Sequence, residues 1–435
     1  MARYRLLAIV AAATILGACT AGKPASTRVP NSFGPRPAPS KPAVVPPAND
    51  VDDLLIVRRS NTNADDTYAV VLAATGEVAF TVPDGAIAGR FRQVGATKED
   101  GGRTIVRFLA GEGGEIRASE SLDGSWRLPA IGLAKRPAGI SADGRTIVLE
   151  QSGSRSSGLT SFAVVRAEGA HGPKVIRFHE DLSFDAISAD GAWLYVLNHK
   201  PDGSYQVRRI DTATGALDPI AIVDKRSPDE VMSGYAITQL SGRDGWLYTL
   251  YQGSDHAFVH ALDTVHGGAL CIDLPEGSKG AQPDATAAAW GLAIAPDRPV
   301  LYAVNSALGV VNELSLEKFV VTRSASVTPQ TAGAVLAKFE NGTWNDAGSA
   351  AVAPDGKVLL VGGPHDVSAV RTRDLAVIAN LGGDRGYRSV AVGAGSQVYA
   401  VDTAGGLHRL GMPDAATDVT LADGVATIEG VLTLR

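Results

Sequence analysis

The histidines whose spacing most invites a chemical role are His256 and His260, in the segment Gly253–Asp263. On a β-strand both side chains point to the same face, about 13 Å apart along the chain, because each residue rises about 3.3 Å. Two imidazoles at that separation are too far apart to bind one metal ion directly. We therefore treat His256 and His260 as candidates for a ligand-binding face and predict no metal site here.

A second polar cluster follows a Gly-Gly-Asp turn near residue 384. It contains Arg385, Tyr387 and Arg388, and binding residues are often carried on such loops. Arg385 and Tyr387 are therefore further candidates for a ligand-binding face at a loop mouth. A polar turn without a binding function accounts for the same residues.

Two other segments contain residue types that bind metals. The first is a group of oxygen-bearing side chains, Asn61, Asn63, Asp65 and Asp66. It lacks the glycine and the distal bidentate glutamate of a calcium loop, which favours a solvated turn. The second is Cys271, which lies in an alternating apolar run and is predicted to be a buried, unreactive thiol.

The known local catalytic motifs are absent from the sequence. There is no Gly-x-Ser-x-Gly elbow, His-Glu-x-x-His, Cys-x-x-Cys, Walker loop or dinucleotide-binding glycine pattern. The eight histidines are scattered through the chain. We therefore assign no catalytic residues, metal or cofactor, although propeller-type enzymes can assemble a site from distant residues at a central channel.

The first residues have the order of segments that a bacterial export signal requires. Arg3 and Arg5 are basic, and the uncharged apolar run from Leu6 to Gly17 follows. That run is shorter than the roughly 20 residues that span a bilayer. It ends in Leu-Gly-Ala-Cys19, which resembles the bacterial lipobox. This resemblance implies a signal peptide at 1–18 and a diacylglyceryl group on Cys19.

Residues 19–50 are rich in Pro, Ala, Ser and Lys, which predicts an extended tether. Several acyl chains on Cys19 would give stable attachment to the membrane. We therefore expect a lipid-anchored protein on the extracytoplasmic face of the cell membrane. We also expect the protein to be a monomer. The formal net charge of −6, without clusters of Lys or Arg, argues against a nucleic-acid partner.

The rest of the chain is organised by a recurring pattern. It consists of a short apolar segment, a small residue, Asp-Gly or a substitute, and an apolar run rich in Tyr and β-branched residues. Asp-Gly between alternating apolar segments is a strong hairpin signal. Two further strand-like runs usually separate successive copies, and four strands per repeat are typical of a β-propeller blade. The turns of the copies lie at Asp100, Asp143, Asp190, Asp244, Asp297, Asp355 and Gly395.

Aromatic residues recur at equivalent places in these copies. Tyr195, Tyr248, Tyr302 and Tyr399 occupy matching positions. A ring of such side chains that stacks on a ligand is one interpretation. Equivalent positions on inner strands more often pack one blade against the next, and we favour that structural interpretation.

The pattern Ser/Ala-Pro-Asp-Gly-x-x-Leu-Tyr-Val, clearest at Ala353–Val361, resembles the repeats of YVTN and WD40-like propellers. These families include bacterial surface proteins and lactonase-type enzymes. The resemblance covers most of residues 51–435 and implies the fold, but blades of this kind serve many functions. The turn glycine is missing at Arg298-Pro299. A composition rich in Ala and Arg with little Lys suggests a high-GC genome, and the family resemblance implies an actinobacterial source.

The copies begin near Phe91, Pro137, Ser183, Gly234, Ala288, Asp346 and Arg388. Three further strands are predicted at 54–58, 68–73 and 78–82, and one more at 427–434. Pairing the two ends would make a composite blade that closes the ring. The sequence therefore predicts an all-β propeller of eight four-stranded blades in one domain, 51–435, with seven blades as the alternative.

Three hypotheses for function follow from this organisation. A non-catalytic binding module for an envelope protein or a glycan is preferred, because a tether and a rigid scaffold occur without a catalytic motif. A lactonase-type or other hydrolytic propeller would instead need three or more His, Glu, Asp or Asn side chains that converge in the channel. The third hypothesis is an accessory protein for envelope assembly.

Overall fold

The computed structural model describes residues 53–59, 67–82, 87–88, 93–110, 115–152, 158–168, 172–224, 226, 231–253, 256–275, 282–327, 339–340, 343–344, 349–393, 395–411 and 419–433. Cys19, the tether and the oxygen-rich cluster at 61–66 lie outside these residues. Within the described ranges, no helix is both long and apolar enough to cross a membrane.

Eight antiparallel sheets form the eight blades of a β-propeller, which confirms the predicted fold. Blade 1 contains β4 (Ile87–Ala88), β5 (Gln93–Asp100), β6 (Arg103–Ala110) and β7 (Ile116–Asp123). Blade 2 contains β8 (Trp126–Arg127), β11 (Thr146–Gln151), β12 (Thr160–Arg166) and β13 (Lys174–Phe178), and the hairpin of β9 (Ala130–Ile131) and β10 (Arg136–Pro137) interrupts it. Blade 3 contains β14 (Leu182–Ile187), β15 (Trp193–His199) and β16 (Tyr205–Asp211). Blade 4 contains β17 (Tyr235–Ser241), β18 (Trp246–Gln252), β19 (Ala257–Asp263) and β20 (Gly268–Asp273).

The second half of the ring repeats this arrangement. The single-turn helix α1 (Ala285–Ala288) precedes blade 5, which contains β21 (Trp290–Ile294), β22 (Val300–Asn305), β23 (Val310–Ser315) and β24 (Val320–Ser326). The short hairpin of β25 (Phe339–Glu340) and β26 (Thr343–Trp344) precedes blade 6, which contains β27 (Ala350–Val352), β28 (Val358–Gly362), β29 (Val367–Arg371) and β30 (Ala376–Leu381). Blade 7 contains β31 (Tyr387–Val392), β32 (Val398–Asp402), β33 (Leu407–Leu410) and β34 (Val419–Ala422).

The two chain ends meet in blade 8, as the sequence predicts. This blade has the strand order β3 (Val78–Val82), β2 (Thr67–Leu72), β1 (Asp53–Arg59) and β35 (Val425–Thr433). The first and last strands pair antiparallel along their length, for example Leu55 with Val431. The ring is therefore closed by backbone hydrogen bonds between residues more than 360 positions apart in the sequence.

The hydrophobic core lies between the blades rather than within one sheet. Eight clusters of buried apolar side chains each join two successive blades, and the one that completes the ring joins blades 8 and 1. Two of the matching tyrosines also reach the next blade. The Tyr195 hydroxyl donates to the Thr264 carbonyl at 3.0 Å, and the Tyr399 hydroxyl donates to Asp53 Oδ2 at 2.9 Å. The predicted packing role is confirmed for both.

The Asp-Gly turns combine a local requirement with an interblade one. In blade 3, Ser188 Oγ donates to Asp190 Oδ1 at 2.7 Å, and Asp190 accepts the Ala192 N–H at 3.0 Å. Gly191 follows with a φ of 71°, a region that favours glycine. A Cβ at Gly191 would lie 2.2 Å from Thr146 Oγ1 of blade 2. Glycine is therefore needed both for the turn and for the close approach of the neighbouring blade.

Blade 3 departs from the regular pattern at its outer edge. The segment 217–223 that follows β16 forms only isolated bridges to this strand, Ile210 with Leu217 and Val207 with Ile222. Pro219 lies in this segment and has no N–H to give to a ladder. The chain then turns toward blade 4, where Asp224 makes a parallel bridge to Ala269. This irregular edge leaves space between the outer parts of blades 3 and 4.

The contact between Tyr399 and Asp53 predicts a measurable contribution to ring closure. Tyr399→Phe should lower the free energy of unfolding by about 1.5–3 kcal/mol, because the buried carboxyl group of Asp53 loses a donor. Tyr195→Phe removes a bond to a neutral carbonyl and should cost about 1 kcal/mol. Urea denaturation of both variants tests this order, and an equal or smaller loss for Tyr399→Phe would contradict it.

Candidate functional site

The inner strands surround a central channel with a volume of about 1180 Å³. Its described lining is dominated by small and apolar side chains, among them Ile187, Ile294 and Val352. Eight polar residues of the described chain also line it: Arg136, Thr238, Gln239, Ser241, Arg243, Asp244, Thr264 and Glu429. A lactonase-type site needs several convergent carboxylate, amide or imidazole groups, and the described lining is mostly aliphatic instead.

The hairpin of β9 and β10 also lines the channel. Its tip is hydrogen-bonded to blade 4 and to the hairpin of β25 and β26. The Leu133 N–H donates to the Ile237 carbonyl of blade 4 at 3.0 Å, and the Trp344 N–H donates to the Leu133 carbonyl at 3.2 Å. Within the described residues, no group of three or more His, Cys, Asp or Glu side chains is placed to hold a metal ion. The channel is thus a mainly apolar space bounded by structural contacts.

Arg385 and Tyr387, the loop-mouth candidates, have different surroundings. Arg385 is about half exposed, with Nη1 3.5 Å from His408 Nε2. Tyr387 is fully buried, and its hydroxyl donates to the Gly382 carbonyl at 2.9 Å. His408 is in turn paired with Asp402 at 2.8 Å, and Asp402 caps the turn between β32 and β33. Tyr387 therefore supports a turn, and only Arg385 of the two is open to solvent.

His256 and His260 both line a second cavity of about 260 Å³, which lies between blades 3 and 4. We call this cavity the interblade pocket. Its blade 4 side comes from β19 and β20 and their flanking residues, and its blade 3 side comes from β16 and the irregular edge that follows. The lining residues are Tyr205, Gln206, Val207, Ile222, Val223, Asp224, Val231, Met232, Ser233, Gly253, His256, Phe258, His260, Cys271 and Asp273.

Strand alternation explains which blade 4 side chains line the interblade pocket. Phe258 pairs with Asp273, and His260 pairs with Cys271, so these four side chains share one face of the sheet. The intervening Val259 belongs to the cluster that packs against blade 5. A strand with apolar residues on one face and mixed residues on the other therefore joins the core and the pocket.

His260 is the most unusual polar side chain of the interblade pocket. It is 2% exposed, and its Nδ1 atom has no hydrogen-bond partner in the described part of the chain. Burial lowers the pKa of His260 to about 4, against a smaller opposing effect of the Asp224 charge. The imidazole is consequently neutral near pH 7, and it can bond a ligand without contributing a charge.

The buried carboxylate of Asp224, which also lines the interblade pocket, is hydrogen-bonded through both of its oxygens. Asp224 Oδ2 accepts from Arg226 Nη2 and from the Cys271 N–H, both at 2.8 Å, and Asp224 Oδ1 accepts the Arg226 N–H at 2.8 Å. The Asp224 carboxylate therefore anchors the irregular edge of blade 3 to β20. Cys271 forms no disulfide and is only partly buried, so the prediction of a buried thiol was wrong.

Aromatic rings form one wall of the interblade pocket. Tyr205 and Tyr251 have ring centroids 5.9 Å apart, and Tyr251 stacks on Phe258 at 5.4 Å. The two outer rings of this series, Tyr205 and Phe258, line the cavity. Nearer the solvent, His256 Nε2 lies 3.0 Å from Asp273 Oδ1, and Val231 is 50% exposed. The pocket therefore has a flat aromatic wall and a more polar mouth.

A second buried titratable group lies behind this wall. Asp185 is the extra residue of a β-bulge in β14, between Phe184 and Ala186, and a bulge can redirect a side chain. Asp185 Oδ1 accepts the Tyr251 hydroxyl at 3.4 Å, while Asp185 Oδ2 has no partner in the described residues. Burial raises the pKa of Asp185 to about 7, and the bond from Tyr251 lowers it by less.

Sequence reasoning selected His256 and His260 but missed the residues that face them. Tyr205, Met232 and Asp224 belong to a different repeat and meet the histidines only across the blade interface. Asp185 had a signal in the sequence, since it is a charged residue inside the apolar inner strand of blade 3. Such a residue is rarely buried without a reason.

Comparison with known proteins finds only distant structural similarity. No family model and no curated protein sequence matches the chain. Solved structures with similar folds include a protein from Lactobacillus plantarum, with a TM-score of 0.45 and 13% identity over 88% of this chain and 100% of that one. AztD from Citrobacter koseri has a TM-score of 0.44 and 12% identity over 88% and 98% of the two chains. Hydrazine synthase from Kuenenia stuttgartiensis has a TM-score of 0.40 and 14% identity over 70% and 89%.

Asp185 predicts a specific dependence of stability on pH. Its pKa is about 7 in the native state and about 3.9 when unfolded, so between these values the native state holds a proton that the unfolded state releases. Stability from this group is therefore lost as the pH rises through this window. Asp185→Asn stays neutral, and its stability relative to the wild type should rise by up to about 1.4 kcal/mol per pH unit.

Urea denaturation at several pH values between 4 and 8 measures this difference. Asp100→Asn, at the exposed turn between β5 and β6, is the control and should show a nearly constant difference from the wild type. A relative stability of Asp185→Asn that does not change between pH 4 and pH 7 would contradict the prediction.

Proposed function

We propose that this protein is a lipid-anchored, extracytoplasmic binding module that holds a small molecule in the interblade pocket. The observation that carries the proposal is the buried His260 on the wall of a 260 Å³ cavity, with an imidazole nitrogen that no described residue satisfies. An unpaired buried polar atom costs free energy, about 1–3 kcal/mol. Native structures retain such groups where a ligand, water or strained function uses them.

The surroundings of His260 also support binding rather than simple packing. Small-molecule sites are concave and mostly apolar, with a few polar groups that fix orientation. The interblade pocket has this composition, since Tyr205, Phe258 and Met232 provide apolar surface and His260 provides the polar group. The described walls belong to regular sheets or are tied to them, by the bonds of Asp224 and by the bridge between Tyr205 and Met232, so the cavity is largely formed before a ligand arrives.

The location proposed for this activity rests on the lipobox at Cys19 and the proline-rich residues after it. A tether of about 30 residues in polyproline-like conformation extends roughly 3 Å per residue. Such an anchor would keep the propeller near the membrane while leaving the pocket accessible to solutes of the envelope. An envelope protein or a glycan, the partners expected from the sequence, is too large for this small cavity. Such a partner would bind the exposed loops instead.

The anchor is tested by Cys19→Ala in the full chain. Without the cysteine thiol there is no site for the diacylglyceryl group, and the protein should move from the membrane fraction to the soluble extracytoplasmic fraction or the medium. Cys271→Ala is the matched control, because it removes the other cysteine of the chain and should leave the distribution unchanged. Immunoblotting of fractions measures both, and membrane retention of Cys19→Ala would refute the anchor.

Ligand binding is tested by closing the pocket mouth. Ser233 lines the interblade pocket and is exposed, so Ser233→Trp should fill the cavity without disturbing the core. The full chain, purified from its native envelope in mild detergent, should release a small molecule on denaturation that mass spectrometry detects, and Ser233→Trp should retain at least tenfold less of it. Ala213→Trp, at an exposed turn of blade 3, is the control. Equal yields from Ser233→Trp and the wild type would refute the pocket as the binding site.

A further inference from the structure

The interblade pocket restricts the size of its ligand. Its volume of about 260 Å³ corresponds to roughly eight or nine molecules of water at about 30 Å³ each. Pockets for drug-sized ligands begin near 300 Å³. A molecule with a single ring and a few substituent atoms therefore fills this space, whereas a nucleotide or an oligosaccharide does not fit.

The pocket walls restrict the shape of the ligand. Tyr205 and Phe258 are the ends of a series of three rings, with Tyr251 between them. Aromatic rings pack best in offset or edge-to-face arrangements, and a flat ligand would extend this series. The thioether of Met232 packs against the same cluster, and sulfur makes favourable contacts with ring edges.

The described charges at the pocket argue against an ionic ligand. Among the described lining residues, Asp224 carries the buried carboxylate, and its oxygens accept from Arg226 and from the Cys271 N–H. The carboxylate of Asp273, nearer the solvent, is paired with His256. His260 is neutral near pH 7, because burial lowers its pKa to about 4. Neither a buried anion nor a buried cation would find an unpaired counter-charge on the described walls, and burial of an unpaired charge is costly.

The hydrogen-bonding state of His260 indicates which polar group the ligand carries. Nδ1 is enclosed and has no described partner, and an unpaired buried N–H is rarer than an unpaired acceptor. The tautomer with the proton on Nε2 is therefore favoured, which leaves the Nε2–H as the donor for a ligand. The complementary ligand group is an oxygen acceptor such as a phenol hydroxyl or a ring carbonyl.

From these four restrictions we infer that the interblade pocket binds a neutral, flat, single-ring molecule whose oxygen accepts a hydrogen bond from His260. This inference rests on the proposed binding function and adds the chemical class of the ligand. It separates the pocket from sites for sugars, anionic metabolites and metal ions. It also gives the His260 imidazole a defined role, since Nε2 orients the ligand while the enclosed Nδ1 stays without a described partner.

Four probes of similar size test the class: phenol, toluene, benzoate and benzylammonium. Dissociation constants are measured with the full chain carrying Cys19→Ala by ligand-observed saturation-transfer NMR at pH 7, and Ser233→Trp identifies binding that depends on the pocket. Phenol should bind best, and toluene should bind about 3- to 10-fold more weakly because one hydrogen bond is lost. Benzoate and benzylammonium should bind at least tenfold more weakly than phenol.

Variants at two histidines separate orientation from general stability. His260→Leu should raise the dissociation constant of phenol to that of toluene and leave toluene nearly unchanged. His266→Leu, on the exposed turn between β19 and β20, should change neither. Loss of toluene binding together with phenol binding in His260→Leu would mean that this histidine supports the pocket structure, and it would overturn the assigned hydrogen bond.

The remaining outcomes distinguish this inference from the proposed function. Binding of benzoate or benzylammonium as tight as that of phenol, and abolished by Ser233→Trp, would overturn the ligand class but support a binding pocket. Failure of all four probes would likewise overturn the ligand class. The binding function itself is judged by the molecule that co-purifies with the native protein, which does not depend on these probes.

Discussion

Packing of each blade against the next is the interaction on which this structure depends. The eight main apolar clusters each draw side chains from two successive blades, so a single blade has no core of its own. Blade 8 is built from both ends of the chain, and its interface with blade 7, which joins residues such as Leu55 and Tyr399, exists only when the ring closes. Repeat proteins in which neighbours supply the core gain stability mainly from these interfaces. A closed ring also removes the exposed end interfaces that an open repeat array must protect.

The interface between blades 3 and 4 combines an apolar cluster with a cavity and buried polar side chains. Its inner part is an ordinary apolar cluster that includes Tyr195 and Leu262. Farther out it contains His260 and Asp185, each with a buried atom that no described residue satisfies. Hydrocarbon side chains at these positions would pack without that cost. Buried atoms without a described partner also occur at other blades, for example Trp290 Nε1 and Ser161 Oγ. At the interface of blades 3 and 4 such an atom belongs to His260, which lines a cavity, and exceptions to the packing rules in natural proteins concentrate at functional sites.

The sequence predicts the fold well because the fold is encoded locally. An Asp-Gly turn such as Asp190-Gly191 combines a backbone conformation with a capping carboxylate, and both signals lie within a few residues. Closure of the ring is also predictable, because the strand count leaves three strands at one end and one at the other. The interblade pocket is not encoded in this way. Tyr205 and His260 lie 55 positions apart, and their meeting depends on how two blades stack. The β-bulge at Asp185 and the edge interrupted at Pro219 alter the regular repeat, and a repeat pattern cannot anticipate its own exceptions.

A pocket at a blade interface couples ligand binding to the packing of two blades. A ligand there contacts both blades, so its binding free energy adds to the packing that holds the ring together, and binding and ring stability are linked. The irregular edge of blade 3 is held to β20 by the bonds of Asp224 to Arg226 and Cys271, which fixes the pocket wall without filling the cavity. The protein thus retains a cavity and two polar atoms without a described partner at the interface of blades 3 and 4, while the closed ring maintains the scaffold. That distribution lets one interface be tuned for recognition without loss of the fold.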